Sequence, residues 1–184
     1  MAKGYSDTKT RILTYKSASY GVLLFIFAVA QVTFFTKINI LGATPDILLA
    51  SIVALAMFEE HKVSTICGII AGFFYYALGG FTLPLYMIFS FFCGYVLWGV
   101  SAHAFGKNYP SFLALSALTF LAKALYNVLE ASFLANSFNV FNVITKTVIP
   151  EFISSMLFCS IPYILLVLPI NLLNKKSKRR VIYK

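Results

Sequence analysis

The stretch Leu83–Phe105, LPLYMIFSFFCGYVLWGVSAHAF, runs for 23 residues without an Asp, Glu, Lys or Arg. A bilayer core about 30 Å thick needs ~20 helical residues to cross it, so this stretch is long enough to be a transmembrane helix. A β-barrel strand is excluded, because the run is continuously apolar and lacks the polar alternation that such a strand requires. The rest of the chain repeats the pattern. Of 184 residues, 60% are hydrophobic and 11% charged, against roughly 25% charged in a soluble domain. The acidic residues are only Asp7, Asp46, Glu59, Glu60, Glu130 and Glu151, too few to give most of the chain a solvated surface.

Five further runs are uncharged or nearly so: Ala18–Phe35, Pro45–Phe58, Val63–Leu78, Phe112–Leu134 and Val148–Leu173. Together with Leu83–Phe105 they predict an all-α integral membrane protein, a compact bundle of six transmembrane helices. Pro45–Phe58 and Val63–Leu78 are short, at 14 and 16 residues, or about 21 and 24 Å as helix. Two arrangements accommodate them: a hairpin that enters from outside without fully crossing, or full spans whose mismatch is absorbed by longer neighbours and snorkelling ends. The connections Glu59–Lys62, Gly79–Thr82 and Gly106–Pro110 are brief, while Thr36–Thr44 and Ala135–Thr147 are longer. The whole chain, 1–184, therefore reads as one membrane domain. Residues 1–17 form an N-terminal segment, 18–173 the six-helix region and 174–184 a basic tail.

Lys and Arg in short loops are retained on the cytoplasmic side. With the N-terminus inside, that side collects Lys3, Lys9, Arg11, Lys16, Lys62, Lys107, Lys175, Lys176, Lys178, Arg179, Arg180 and Lys184, leaving Lys37 and Lys146 outside. Both termini are thus expected in the cytoplasm. The formal net charge of +9 is mostly this topology signal, and the basic tail is expected to meet anionic lipid headgroups, with no nucleic-acid partner. Ala28-Val29-Ala30 has the look of a signal-peptidase site, but the apolar run continues through Val32, Phe34 and Phe35, so the first span is expected to stay uncleaved.

Cys67, Cys93 and Cys159 lie far apart inside apolar runs and read as small buried hydrophobes. His61 beside Glu60, and His103, lack the spacing of a zinc site, so no metal and no cofactor are expected. No G-x-S-x-G elbow, phosphate loop or pair of intramembrane aspartates is present, and a non-enzymatic role is expected.

Two features within the apolar runs ask for a reason. Lys123, Asn127 and Glu130 are spaced i, i+4 and i+7, which stacks them on one face of the fifth helix. Charges at that depth are costly, face the bundle interior and mark either an interhelical lock or a ligand pocket. The second feature is Gly68-x-x-x-Gly72 in the third run. It is expected to pack on Ala50 and Ala54 of the second, or to present a surface for a partner's helix.

Several residues together resemble MreD, the bacterial rod shape-determining membrane protein family. They are Gln31 late in the first span, Gly42-Ala43-Thr44-Pro45-Asp46-Ile47-Leu48-Leu49 opening the second, Gly68-Ile69-Ile70-Ala71-Gly72-Phe73-Phe74 in the third, then Gly79-Gly80 and Gly94-Tyr95. The resemblance covers roughly residues 20–100; the last two spans match only in length and hydropathy. Pro45 and Asp46 also make sense alone, with Pro45 suited to the first helical turn and Asp46 to the positive end of the helix dipole. Tyr76 departs from the family, which often has an Asp at that point.

What the resemblance implies is a non-enzymatic component of the machinery that elongates the lateral cell wall in the bacterial cytoplasmic membrane. Its partners would be an MreC-like bitopic protein and a RodA-like polymerase with its transpeptidase. The fold implied is similar to the substrate-binding subunits of energy-coupling-factor transporters. That likeness supplies the alternative function, capture of a vitamin or metal in a pocket that Lys123, Asn127 and Glu130 would line with Tyr75 or Tyr76.

The charge asymmetry generates a topology prediction. A cysteine placed at His61, in a background lacking Cys67, Cys93 and Cys159, should resist a membrane-impermeant thiol reagent in intact cells. Rapid labelling from outside would overturn a cytoplasmic Glu59–Lys62 turn.

Overall fold

The computed structural model describes the backbone of residues 2–38, 42–79, 85–134 and 144–167, and the side chains that lie within 18–129 and 144–167. These residues form α1 (Ala2–Thr33), a 3-10 turn (Phe35–Lys37), α2 (Ile47–Phe58), α3 (His61–Gly79), α4 (Leu85–Ala104), α5 (Tyr109–Leu134), a π-helical turn (Ile144–Val148) and α6 (Ile149–Phe158). Beyond Phe158 the helical course resumes through residues 160–167. No β-strand occurs among the described residues. The 2–17 backbone is helical and continuous with the first span, whereas the basic tail 174–184 lies outside the described residues.

Among the described residues, five segments are long and apolar enough to cross a membrane: Ala18–Lys37, His61–Gly79, Leu85–Ala104, Tyr109–Leu129 and Ile144–Val167. The sixth expected span is different in kind. At 12 residues, α2 covers only about 18 Å. Every residue from Ile47 to Met57 is buried, and α2 touches all five other helices. Its sequence ILLASIVALAMF has no polar face, as befits a helix enclosed on all sides. Lipid thickness does not set the length of a helix that meets protein rather than lipid. Of the two runs that read as short, the second lengthens to the 19 residues of α3.

Hydrogen bonds at the two ends of the bundle fix the direction of each helix. Tyr20 near the start of the first span donates to Glu59 Oε1 at 2.7 Å, and Lys107 in the α4–α5 connection reaches the Phe58 carbonyl at 3.4 Å. At the same end Tyr109 and Ser160 share a 2.6 Å hydroxyl contact. At the other end Gln31 bonds to the start of α2, and Tyr75 of α3 packs on Tyr86 of α4 with ring centroids 4.4 Å apart. Successive helices therefore alternate in direction. The α2–α3 turn lies level with Tyr20, near the start of the first span, and with the α4–α5 connection.

The glycine pair of α3 packs on α4 rather than on α2, correcting the expectation for Ala50 and Ala54. A Cβ at Gly68 would lie 2.5 Å from the Ser90 carbonyl oxygen, and one at Gly72 would lie 2.7 Å from Met87 Cα. From the opposite side, a Cβ at Gly94 would lie 2.7 Å from the Ser64 carbonyl oxygen. Ser64 Oγ also donates to the Gly94 carbonyl at 2.7 Å. Small residues allow this approach where lipid supplies no hydrophobic push between helices. The matching surface was already spelled out in Ser90-x-x-x-Gly94. Ala50 and Ala54 are fully buried within α2's own packing.

Gly68→Leu should therefore lose about 1–3 kcal/mol or more through overpacking, and little of the variant should accumulate in the membrane. Gly99→Ala is the control, because nothing lies within 4 Å of a Cβ there. Thermal melts of the detergent-solubilised proteins check the difference, and equal stability of the two variants would refute the close-packing account.

Candidate functional site

Residues 44–46 enter the bundle as non-helical backbone just ahead of α2, following Gly42, whose φ of +91° suits glycine. Backbone of this kind survives at membrane depth only when protein satisfies its polar groups, and three side chains do so here. Gln31 Nε2 donates to the Pro45 carbonyl at 2.8 Å while its Oε1 accepts the Ile47 N–H at 3.0 Å. Ser155 Oγ accepts the Asp46 N–H at 2.9 Å. Asp46 caps α2 by accepting the Leu49 N–H on Oδ1 at 2.9 Å. Pro45 sits one residue before this cap, not in the first helical turn as expected from sequence.

The other carboxylate oxygen of Asp46 accepts the Tyr86 hydroxyl at 2.9 Å and the Lys123 ammonium. Lys123 also pairs with Glu151 Oε1 at 2.5 Å, and Asn127 Nδ2 donates to Glu151 Oε2 at 2.5 Å. The ammonium lies 5.5 Å from the Tyr86 ring centroid, within the range where a cation gains from an aromatic face. One cation thus holds two carboxylates, and the cluster draws on α1, α2, α4, α5 and α6. Glu151 occupies the first turn of α6, where the helix dipole favours an anion.

Lys123 and Asn127 do share an inward face, but their partners are Asp46 and Glu151. The side chain of Glu130, the third member of the expected face, lies outside the described residues. Asp46 was legible as a helix start and not as the counter-ion of Lys123. Glu151 was missed, although Pro150-Glu151 near the start of an apolar run carries the same helix-start signal as Pro45-Asp46. Tyr76 is half-buried on α3.

The cavity beside the cluster, lined by Lys123, Asn127, Glu151 and Ser155 with apolar neighbours, has a volume of about 10 Å³. A single water needs roughly that much room. A larger groove of about 330 Å³ lies between α4 and α5, lined by apolar side chains including Ile88, Phe89, Phe92 and Leu125 with Tyr126. At the opposite end, His61 contacts the rings of Tyr95 and Trp98, and His103 is exposed on the last turn of α4. Among the described residues no group of three or more His, Cys, Asp or Glu converges, and the three cysteines are free and buried.

No protein family, curated protein or solved structure matches the chain. The cluster's chemistry is therefore read from its own geometry. Buried charges that are paired and hydrogen-bonded tie elements together, and removing one partner strands the others. Lys123 is the shared member, so its loss leaves two carboxylates without a cation.

Lys123→Met should cost about 3–5 kcal/mol, and Glu151→Gln less, because Asp46 still neutralises Lys123. In a double-mutant cycle the two changes should couple by about 0.5–3 kcal/mol. Thermal melts of the four proteins provide the measurement, and strictly additive losses would refute a shared cluster.

Proposed function

We propose that this chain is a non-enzymatic, MreD-like membrane component of the bacterial cell-wall elongation machinery, maintaining rod shape by binding an MreC-like bitopic protein and a RodA-like polymerase with its transpeptidase. In this reading it is a multi-pass protein of the cytoplasmic membrane with both termini inside. The observation that carries the reading is the clamp of Gln31 on Pro45 and Ile47 around Asp46. Residues that are far apart in the resemblance, at the end of one span and the start of the next, meet at one point and perform one structural task. The glycines of the resemblance support it in the same way, since Gly68, Gly72 and Gly94 are the residues through which α3 and α4 approach.

The alternative is capture of a vitamin or metal, and a vitamin needs a pocket of about 300 Å³ or more with polar groups converging into it. The space at Lys123 and Asn127 is about 10 Å³, and the larger groove is lined almost wholly by apolar side chains. Both observations favour a binding role exerted on other membrane proteins. Shape determination would then depend on surfaces that the buried cluster and glycine contacts hold in place.

Affinity purification of the tagged chain from native membranes, followed by mass spectrometry, tests the proposal. MreC-like and RodA-like proteins are the expected co-purifying partners. Recovery of ATPase subunits in their place would overturn it in favour of a transporter subunit.

A further inference from the structure

α1 is an unbroken helix of 32 residues, Ala2–Thr33, but the apolar span within it begins only at Ala18. Residues 2–17 therefore carry the helix about 24 Å beyond the start of the span. The other described segments stop near its foot. Glu59 of the α2–α3 turn meets Tyr20, and Lys107 of the α4–α5 connection meets the Phe58 carbonyl, so both short connections lie at the level of Tyr20. The last span is described only four residues past Tyr163, whose ring packs on Phe58 at this same level. An isolated helix as short as residues 2–17 is marginal in water because its first turn is costly to form, and continuation from a packed span removes that cost.

The extension carries a pattern. Tyr5, Thr8, Ile12 and Tyr15 fall at i, i+3, i+7 and i+10, the a and d spacing of a coiled-coil seam. Lys9 follows that seam at an e position and Arg11 precedes Ile12 at a g position, so cations flank it on both sides. Carried into the span, the same register reaches Val22 and Ile26, which are 62% and 55% exposed, whereas Tyr20, Leu24 and Phe27 are buried in the bundle. The register of the seam is thus that of the α1 face turned away from the chain's own helices.

Charge decides what such a seam accepts. A second copy would set Arg11 against the cations at its partner's e positions, a like-charge pairing that disfavours association. Residues 168–184 of the same chain hold Lys175, Lys176, Lys178, Arg179, Arg180 and Lys184 with no Asp or Glu, so they repel the seam in the same way. A basic amphipathic helix that binds lipid lies in the plane of the headgroups, whereas this one continues a span. Lys9 and Lys3 stand about 14 and 22 Å from the start of that span, and the field of anionic headgroups falls off within about 8 Å at physiological salt. We propose that residues 2–16 are a docking rod for an amphipathic helix with acidic flanks, carried by another protein. The partner's apolar stripe packs along Tyr5, Thr8, Ile12 and Tyr15, and its carboxylates pair with Lys9 and Arg11. This docking holds whatever machinery the chain serves.

Two synthetic amphipathic peptides with leucine seams, one flanked by glutamates and one by lysines, probe the rod on the full chain in nanodiscs of zwitterionic phosphatidylcholine. The glutamate peptide should bind several-fold tighter than the lysine peptide, and the double variant Lys9→Glu with Arg11→Glu should reverse that order. Equal affinities, or a preference that the double variant leaves unchanged, overturn the proposal. Ile12→Asp keeps both cations and should abolish binding of the glutamate peptide; undiminished binding overturns the seam by showing attraction through charge alone. Duplex DNA that displaces the peptide at equal concentration overturns it in favour of a general polyanion site. A polarity-sensitive fluorophore on Thr8→Cys, in a background lacking Cys67, Cys93 and Cys159, should emit alike in phosphatidylcholine and phosphatidylglycerol nanodiscs. A blue shift in the anionic discs places the segment among headgroups and overturns the rod. In native membranes, a photo-crosslinker at Ile12 should join the chain to a protein segment rich in Asp and Glu, and the double variant should lose that product. Cross-links to lipid alone, or protein cross-links indifferent to the two cations, overturn the docking.

Discussion

The ion pair between Lys123 and Asp46 is the contact on which this arrangement of helices turns. Neither charge is tolerable alone in a low-dielectric interior, and together they need further hydrogen bonds to offset the loss of water. Tyr86, the Leu49 N–H and Glu151 supply them, and Asn127 in turn donates to Glu151. Those partners come from α2, α4, α5 and α6, so satisfying one pair orders four helices at once. Gln31 adds α1 by closing the backbone on either side of Asp46.

This pairing lets α2 begin inside the bundle. A helix start exposes N–H groups that lipid cannot satisfy, and an extended segment ahead of it exposes more. Here the cap, the glutamine clamp and the serine on α6 answer these demands with named side chains. Surrounded by the other five helices, α2 acts as a core rather than as a span. Its apolar side chains serve internal packing, while lipid contact falls to residues such as Val22, Phe73, Phe92 and Leu125.

The two helix seams rest on different physics. Between α3 and α4 there is no charge to pair, and closeness comes from absent side chains: Gly68, Gly72 and Gly94 allow backbone contact over a large part of the interface. Between α5 and the last span the hold is polar at Glu151, beside a cavity with room for one water, and aromatic at the other end, where Tyr109 and Phe112 pack on Tyr163. Dispersion contacts spread along a seam are lost only when helices separate along their length. A polar hold depends instead on the few side chains that make it.

The sequence by itself determined the membrane class, the helical content, the approximate ends of most helices and the inward face of Lys123 and Asn127. Each follows from local properties: run length against bilayer thickness, the cost of charge in lipid, and helical periodicity. Asp46 as the start of α2 was legible for the same reason, since an N-cap acts on the next turn of its own chain. Only the tertiary structure decided that Lys123 answers to Asp46 and Glu151, at sequence separations of 77 and 28 residues. Only it turned the glycine face of α3 toward α4, and made α2 a core helix. Hydropathy measures how apolar a segment is, and says nothing about whether lipid or protein surrounds it. A charge pattern shows that a partner is required, but which partner depends on how helices far apart in sequence come together in space.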